Sequence, residues 1–229
     1  MIARLLTAAL AITCSAGAIA ADRSSSAQFR DQLVRDVPKL ALLKRYAPGT
    51  FERIARIYED GKKSGRGQSE LIGEARATFA RDQLARMRRA SDKVVLNAED
   101  SQIALAGDLL TRTPERCMAL FAGGNAGDIK SFLSPATIAA EDANYVALLK
   151  LPASGAEQDM ASPDELRSAM IAAVPVAANS LKQTPEQFAA AASGGSTAAD
   201  GCRAQQAFLK VMRARPDAAR LIRRQLGGG

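Results

Sequence analysis

The chain has 229 residues, with 31 Lys and Arg against 24 Asp and Glu, a formal charge of +7, and neither histidine nor tryptophan. Without histidine, Ser-His-Asp and Cys-His nucleophilic catalysis are excluded and the commonest metal ligand is missing. At 47% hydrophobic residues the chain can build a substantial core, burying roughly 70% of its unfolded surface at this size.

The N-terminus places one basic residue, Arg4, before an uncharged run from Leu5 to Ala20. That pattern matches a secretory signal peptide, with Ala18 and Ala20 as the small residues before the cut. The run is short for a membrane span, which takes about 20 apolar residues. Cys14 lies within it, but Ala11-Ile12-Thr13 is a poor lipobox, so a lipid anchor is not expected. The expectation is that residues 1–20 are removed and that 21–229 forms one all-helical domain in the periplasm or the medium. A division into two sub-lobes, about 21–112 and 113–229, is the finer alternative. No second stretch is long enough to cross a bilayer; the best, Ala169 to Leu181, carries Pro175 and reads as a buried helix.

Helical periodicity runs along the rest of the chain. Phe29, Leu33 and Val37 share one face, and Pro38 opens a second helix through Leu40, Leu43 and Tyr46. Thr50 is expected to cap a helix that turns Phe51, Ile54 and Ile57 inward and closes at Gly61. After a Gly65-Arg66-Gly67 loop, Ser69 begins a long helix carrying Ile72, Ala75, Phe79, Leu84 and Met87. Val94-Val95-Leu96 is the only strand-like triplet, and Asn97 opens a helix with Ile103, Leu105, Leu109 and Leu110.

Four starts are sharper: Thr113-Pro114, Ser134-Pro135, Ser162-Pro163 and Thr184-Pro185. Ser or Thr accepts a backbone N–H there, and proline suits the first helical position, where no N–H is needed. Ser162 with Glu165, and Thr184 with Gln187, have capping-box spacing. The echo between 113–124 and 184–195 is read as shared capping grammar rather than duplication. Gly123 to Asp128 reads as a helix-to-helix loop, and the last helices run from Cys202 to Arg213 and from Pro216 to Leu226. The fold expected is all-α, an irregular multi-helix bundle.

Once Cys14 leaves with the leader, Cys117 and Cys202 remain. In an exported protein two cysteines most simply form one disulfide. A reactive thiol is the weaker reading, since no histidine can serve as its base and no Cys-x-x-Cys spacing occurs.

Charge is uneven: residues 21–116 carry a net +5, 117–200 a net −5 and 201–229 a net +6. The basic flanks are therefore expected to pack on the acidic middle. Arg220, Arg223 and Arg224 fall on one side of the last helix, opposite Ala219, Ile222 and Leu226, and form the candidate binding residues for an acidic partner or an anionic surface. Arg81, Arg86, Arg88, Arg89 and Lys93 make a second basic cluster.

Catalytic motifs are missing. There is no dinucleotide or phosphate loop, no Ser-x-x-Lys dyad and no calcium-loop spacing, so no catalytic residue, metal or cofactor is expected. The carboxylate doublets Glu59-Asp60, Glu99-Asp100, Glu141-Asp142 and Asp164-Glu165 read as solvated or capping residues. Adjacent helical carboxylates point about 100° apart and make no acid–base pair alone. The function expected is non-catalytic binding of another macromolecule, a secreted protein or an envelope component, and not nucleic acid. A carboxylate-dependent hydrolase or lyase of envelope polymer is the alternative, and an electrostatic binder of anionic lipid or polymer the second.

Overall fold

The computed structural model describes residues 26–122 and 129–227, so the expected leader at 1–20 and the loop at Gly123 to Asp128 lie outside the described residues. Among those described, the chain is all α-helix with one short 3-10 turn and no strand. The helices are α1 (Ser26–Asp36), α2 (Pro38–Tyr46), α3 (Pro48–Lys63), α4 (Gln68–Met87), α5 (Asp92–Arg112) and α6 (Pro114–Phe121). They are followed by α7 (Pro135–Leu149), α8 (Pro163–Ser180), α9 (Pro185–Ala192), α10 (Ala198–Arg213) and α11 (Ala218–Gly227). The expected all-α bundle is what the chain forms.

All four Ser/Thr-Pro signals open helices. The Ser162 hydroxyl accepts the Glu165 N–H while the Glu165 carboxylate accepts the Ser162 N–H; Thr184 and Gln187 repeat the exchange. Ser134 accepts the Thr137 N–H. Thr113 departs from the pattern: its side chain caps nothing, and only the proline marks the start.

Several boundaries differ from those expected. Thr50 is not a cap but a buried residue inside α3, which begins at Pro48; its hydroxyl goes to α4 instead. Gly61 does not end that helix, which runs on to Lys63. A Cβ at Gly61 would collide with the Leu71 side chain, so glycine is there to let α4 close on α3. Leu71, rather than Ile72, is the buried residue at the start of α4. Val94-Val95-Leu96 lies within α5, which opens at Asp92, five residues before Asn97. The apolar triplet is helical because Val95 alone is fully buried, packed with Met87, Leu148 and Ile222. The last helix starts at Ala218, not Pro216.

The core falls into four clusters. Phe29, Leu33, Leu40, Leu43, Phe51, Ile54 and Phe79 from α1 to α4 pack with Tyr145 and Leu149 of α7. A second cluster, rich in alanine, joins α8, α9 and α10 through Ala169, Ala173, Ala177, Phe188, Ala204 and Phe208. A third surrounds the sulfur atoms: Cys117 of α6 and Cys202 of α10 form the expected disulfide, Cα atoms 5.8 Å apart, among Leu105, Leu109, Leu120 and Leu209. The fourth fixes α11, through Ala218, Ala219 and Ile222, to the ends of α4, α5 and α7. Among the described residues no helix is long and apolar enough to cross a membrane.

The charge segregation appears as ion pairs between the basic flanks and the acidic middle. Arg88 and Arg89 reach Glu157 (3.8 and 3.6 Å), and Arg220 reaches Asp159 and Glu165 (2.5 and 3.4 Å). Exposed pairs of this kind contribute only about 0–1 kcal/mol each, so they orient helices more than they hold them.

Candidate functional site

The C-terminal arginines are bound within the chain. Arg223 is 2% exposed; its guanidinium donates to the Ala90 carbonyl (2.8 and 3.1 Å), the Asp159 carbonyl (3.1 Å) and Asp92 Oδ1 (2.5 Å). Arg224 donates to the Ala161 carbonyl at 2.5 Å, and Arg220 is bound between Asp159 and Glu165. The structure thus brings all three to partners on the same chain, and Arg223 stands on no open surface. In the second basic cluster, Arg86 is buried as well, whereas Arg81 faces a groove.

That groove, about 750 Å³, runs between α3 and α4 and is bounded by Ala153 of the segment joining α7 to α8. The segment is fastened over the end of α4: the Gln158 N–H donates to the Arg88 carbonyl (2.9 Å) and Arg89 Nε donates to the Gly155 carbonyl (3.0 Å). Arg53 and Arg56 stand three residues apart on one face of α3, and Arg81 faces them from α4. All three are exposed. Arg56 and Arg81 have no carboxylate within ion-pair distance among the described residues, although most other arginines do. Arg81 donates only to the Thr78 hydroxyl, at 3.3 Å.

Beneath them lies a buried polar network. The Thr50 hydroxyl donates to Asp82 Oδ1 (2.6 Å), and Arg86 donates to the same carboxylate through Nε (2.7 Å) and Nη2 (3.3 Å). Arg86 also donates to the Leu149 carbonyl (2.9 Å) and to that of Leu151. Arg53 Nη2 bridges the network to the groove, 3.0 Å from Thr50 Oγ1 and 3.5 Å from Asp82 Oδ1. Asp82 is therefore neutralised from below by Arg86, while Arg66 at the rim is held by Glu70 and Glu74 (2.8 and 2.7 Å). What remains unpaired is Arg56 and Arg81, with Arg53 3.5 Å from Asp82 and the Asp60 carboxylate also lining the groove. Planar guanidinium groups converging on an open concavity take carboxylate or phosphate oxygens in paired hydrogen bonds.

The arginines at 53 and 56 were not singled out in the sequence, because helical spacing alone does not distinguish a solvated face from one opposite Arg81.

The carboxylate doublets are scattered. Asp60 lines the groove, Asp164 is exposed, Glu165 caps α8, and burial pushes the Glu141 carboxyl up against the opposing pull of Lys39. Glu99, expected from the sequence to be solvated, is instead only 8% exposed within α5. Burial foremost, then the Asp100 carboxylate, push its carboxyl up to about 7, with Arg213 opposing. The fold thus favours protonated Glu99. Its contribution to stability is fully present below the ordinary value of 4.5 and is lost as pH rises toward 7. Glu99→Gln is expected to gain about 3 kcal/mol on the wild type across that window, read from urea unfolding at a series of pH values. A difference that stays level across the window would contradict a buried carboxyl at this position.

Among the described residues no group of three or more Cys, Asp or Glu side chains is placed to hold a metal ion. Compared with known proteins, the chain matches no family model, no curated protein and no solved structure.

Proposed function

We propose that this is an exported, non-catalytic protein that binds an acidic segment of another protein in the groove between α3 and α4. The observation that carries the reading is the convergence of Arg53, Arg56 and Arg81 on one open concavity with no carboxylate paired to Arg56 or Arg81. Unpaired cations on the wall of an open cleft raise the local concentration of an anionic partner and steer its approach. Export is supported by the Arg4 to Ala20 leader pattern and by the Cys117–Cys202 bond, since disulfides persist in oxidising compartments.

Fluorescence anisotropy with a labelled poly-glutamate peptide tests the reading. Binding should weaken steeply as salt rises. Reversing charge at two exposed positions, Arg56→Glu with Arg81→Glu, should weaken it by at least about tenfold, while Arg220→Ala leaves it unchanged. Equal binding by the double variant and the wild type would refute the groove; equal binding to anionic lipid vesicles would transfer the reading to an electrostatic binder of lipid or polymer.

A carboxylate-dependent hydrolase or lyase is the second reading, favoured by Asp60, Glu74 and Asp82 lining the same groove. Asp82 and Glu74 are already committed to Arg86 and Arg66, which leaves Asp60 without the second free carboxylate that acid–base cleavage of a glycosidic bond requires. Release of soluble fragments from envelope polymer, abolished by Asp60→Asn, would establish the enzyme instead.

A further inference from the structure

A second surface lies on α8 and α10, away from the arginine groove. From Ser168 to Leu181 the sequence of α8 and its C-cap carries no charged residue. Its inner face is the alanine stripe of the second core cluster, but its outer face is also apolar: Ile171, Ala172, Pro175 and Val176 are all exposed. These positions, spaced i, i+1, i+4 and i+5, form one strip along the helix. Ile171 and Val176, 67% and 56% exposed, are the exposed large hydrophobic side chains among the described residues. Single exposed aliphatics mean little, but two on one uncharged helix face mark a surface that excludes water when covered. Pro175 also lies on this face and has no N–H to donate to the Ile171 carbonyl.

The strip continues through Val176 into a groove of about 620 Å³ between α8 and α10. Its floor is Val176, Leu181, Ala207, Val211 and Ala214. The charged side chains lining it are Arg203, Lys210 and Arg215; Arg203 and Arg215 are paired with Asp200 (2.9 Å) and Asp217 (3.0 Å). Lys210, exposed and seven residues from Arg203 on the same face of α10, has no ion pair among the described residues. An apolar floor between helices with an unpaired lysine at its edge fits the helix-in-groove mode of recognition.

We infer that the α8–α10 groove docks an amphipathic helix of another protein, its apolar stripe on Val176 and Val211 and its flanking carboxylates against Lys210. Charge decides the occupant. With Asp200 and Asp217 paired to the two arginines the rim stays net positive through Lys210, so a second copy related by two-fold symmetry would bring like charge to it, whereas a helix with acidic flanks is complementary. The surface is independent of the arginine groove, which shares no residue with it.

Anisotropy with labelled synthetic amphipathic helices tests this on the disulfide-bonded protein. One peptide carries a leucine stripe with glutamate flanks, a second has lysine flanks, and a third replaces the leucines by serine. The first should bind at least about tenfold more tightly than either control. Val176→Asp and Lys210→Glu, both at exposed positions and expected to retain the wild-type circular dichroism, should each weaken it about tenfold, and Lys210→Glu should improve binding of the lysine-flanked peptide. Arg56→Glu with Arg81→Glu should leave it unchanged, which separates failure here from failure of the arginine groove. Equal binding of glutamate- and lysine-flanked peptides, wild-type affinity in Val176→Asp, or a concentration-dependent dimer that Val176→Asp dissolves without any peptide binding would each overturn the inference.

Discussion

Replacing Cys117 and Cys202 together by alanine is expected to lower the unfolding free energy by about 4.5 kcal/mol. The magnitude follows from chain entropy: the bond spans 85 residues, and releasing a loop of that length frees the unfolded chain by about that amount at 25 °C. Both cysteines are fully buried in the third cluster, where α6 and α10 meet, so the loss of two sulfur atoms from packing adds to the entropic cost. Urea unfolding monitored by circular dichroism measures it. The midpoint should fall and the denaturant slope should rise, because an unlinked denatured chain exposes more surface. A double variant within about 1 kcal/mol of the wild type would show that the bond constrains neither state appreciably.

Asp82→Ala is expected to cost about 3–5 kcal/mol, the range for removing one partner of a buried ion pair. The side chains of Asp82 and Arg86 are 1% and 8% exposed, so the substitution strands the Arg86 guanidinium away from water with only the Leu149 and Leu151 carbonyls to receive it. It also removes the acceptor of the Thr50 hydroxyl. Asp82→Asn keeps an acceptor for Thr50 and should cost less. Adding Arg86→Met to Asp82→Ala should recover part of the loss, since the stranded charge disappears with it. Thermal unfolding of the four proteins of this cycle provides the check; additivity between the two positions would mean that the pair is not coupled.

The parts of this fold legible in the sequence are those whose cause is local. Ser162-Pro163 with Glu165 opens α8 through atoms within one turn of each other, so spacing is enough to read it. The Cys117–Cys202 bond was legible by elimination, two cysteines being the fewest that can pair. Thr50 shows where local grammar fails: a threonine three residues into a helix looks like a cap, yet its hydroxyl is claimed by Asp82, 32 residues away. Arg223 is the larger case. Its helix is buried on more than the expected apolar side, Leu221 as well as Ile222, and the partners that bury Arg223, Ala90 and Asp92, lie 133 and 131 residues earlier, beyond any periodicity. The arginine groove was half legible: Arg81 belonged to a visible run of basic residues, whereas Arg53 and Arg56 gain their meaning only from the closure of α3 on α4. Glu99 was misread for a similar reason, its burial being set by tertiary packing that a carboxylate doublet does not announce.

The alanine stripe of α8 divides that helix into two regimes of tolerance. At Ala169, Ala173 and Ala177 the side chain is a single methyl buried to 4% exposure or less, so any larger residue must drive α8 away from its neighbours and open the packing beneath. On the outer side of the helix Ile171 and Ala172 are exposed, and substitutions there leave the interior undisturbed. Over generations such a helix can rewrite its outer face to follow a changing partner while its inner face stays locked, so that variation in recognition carries little cost to folding.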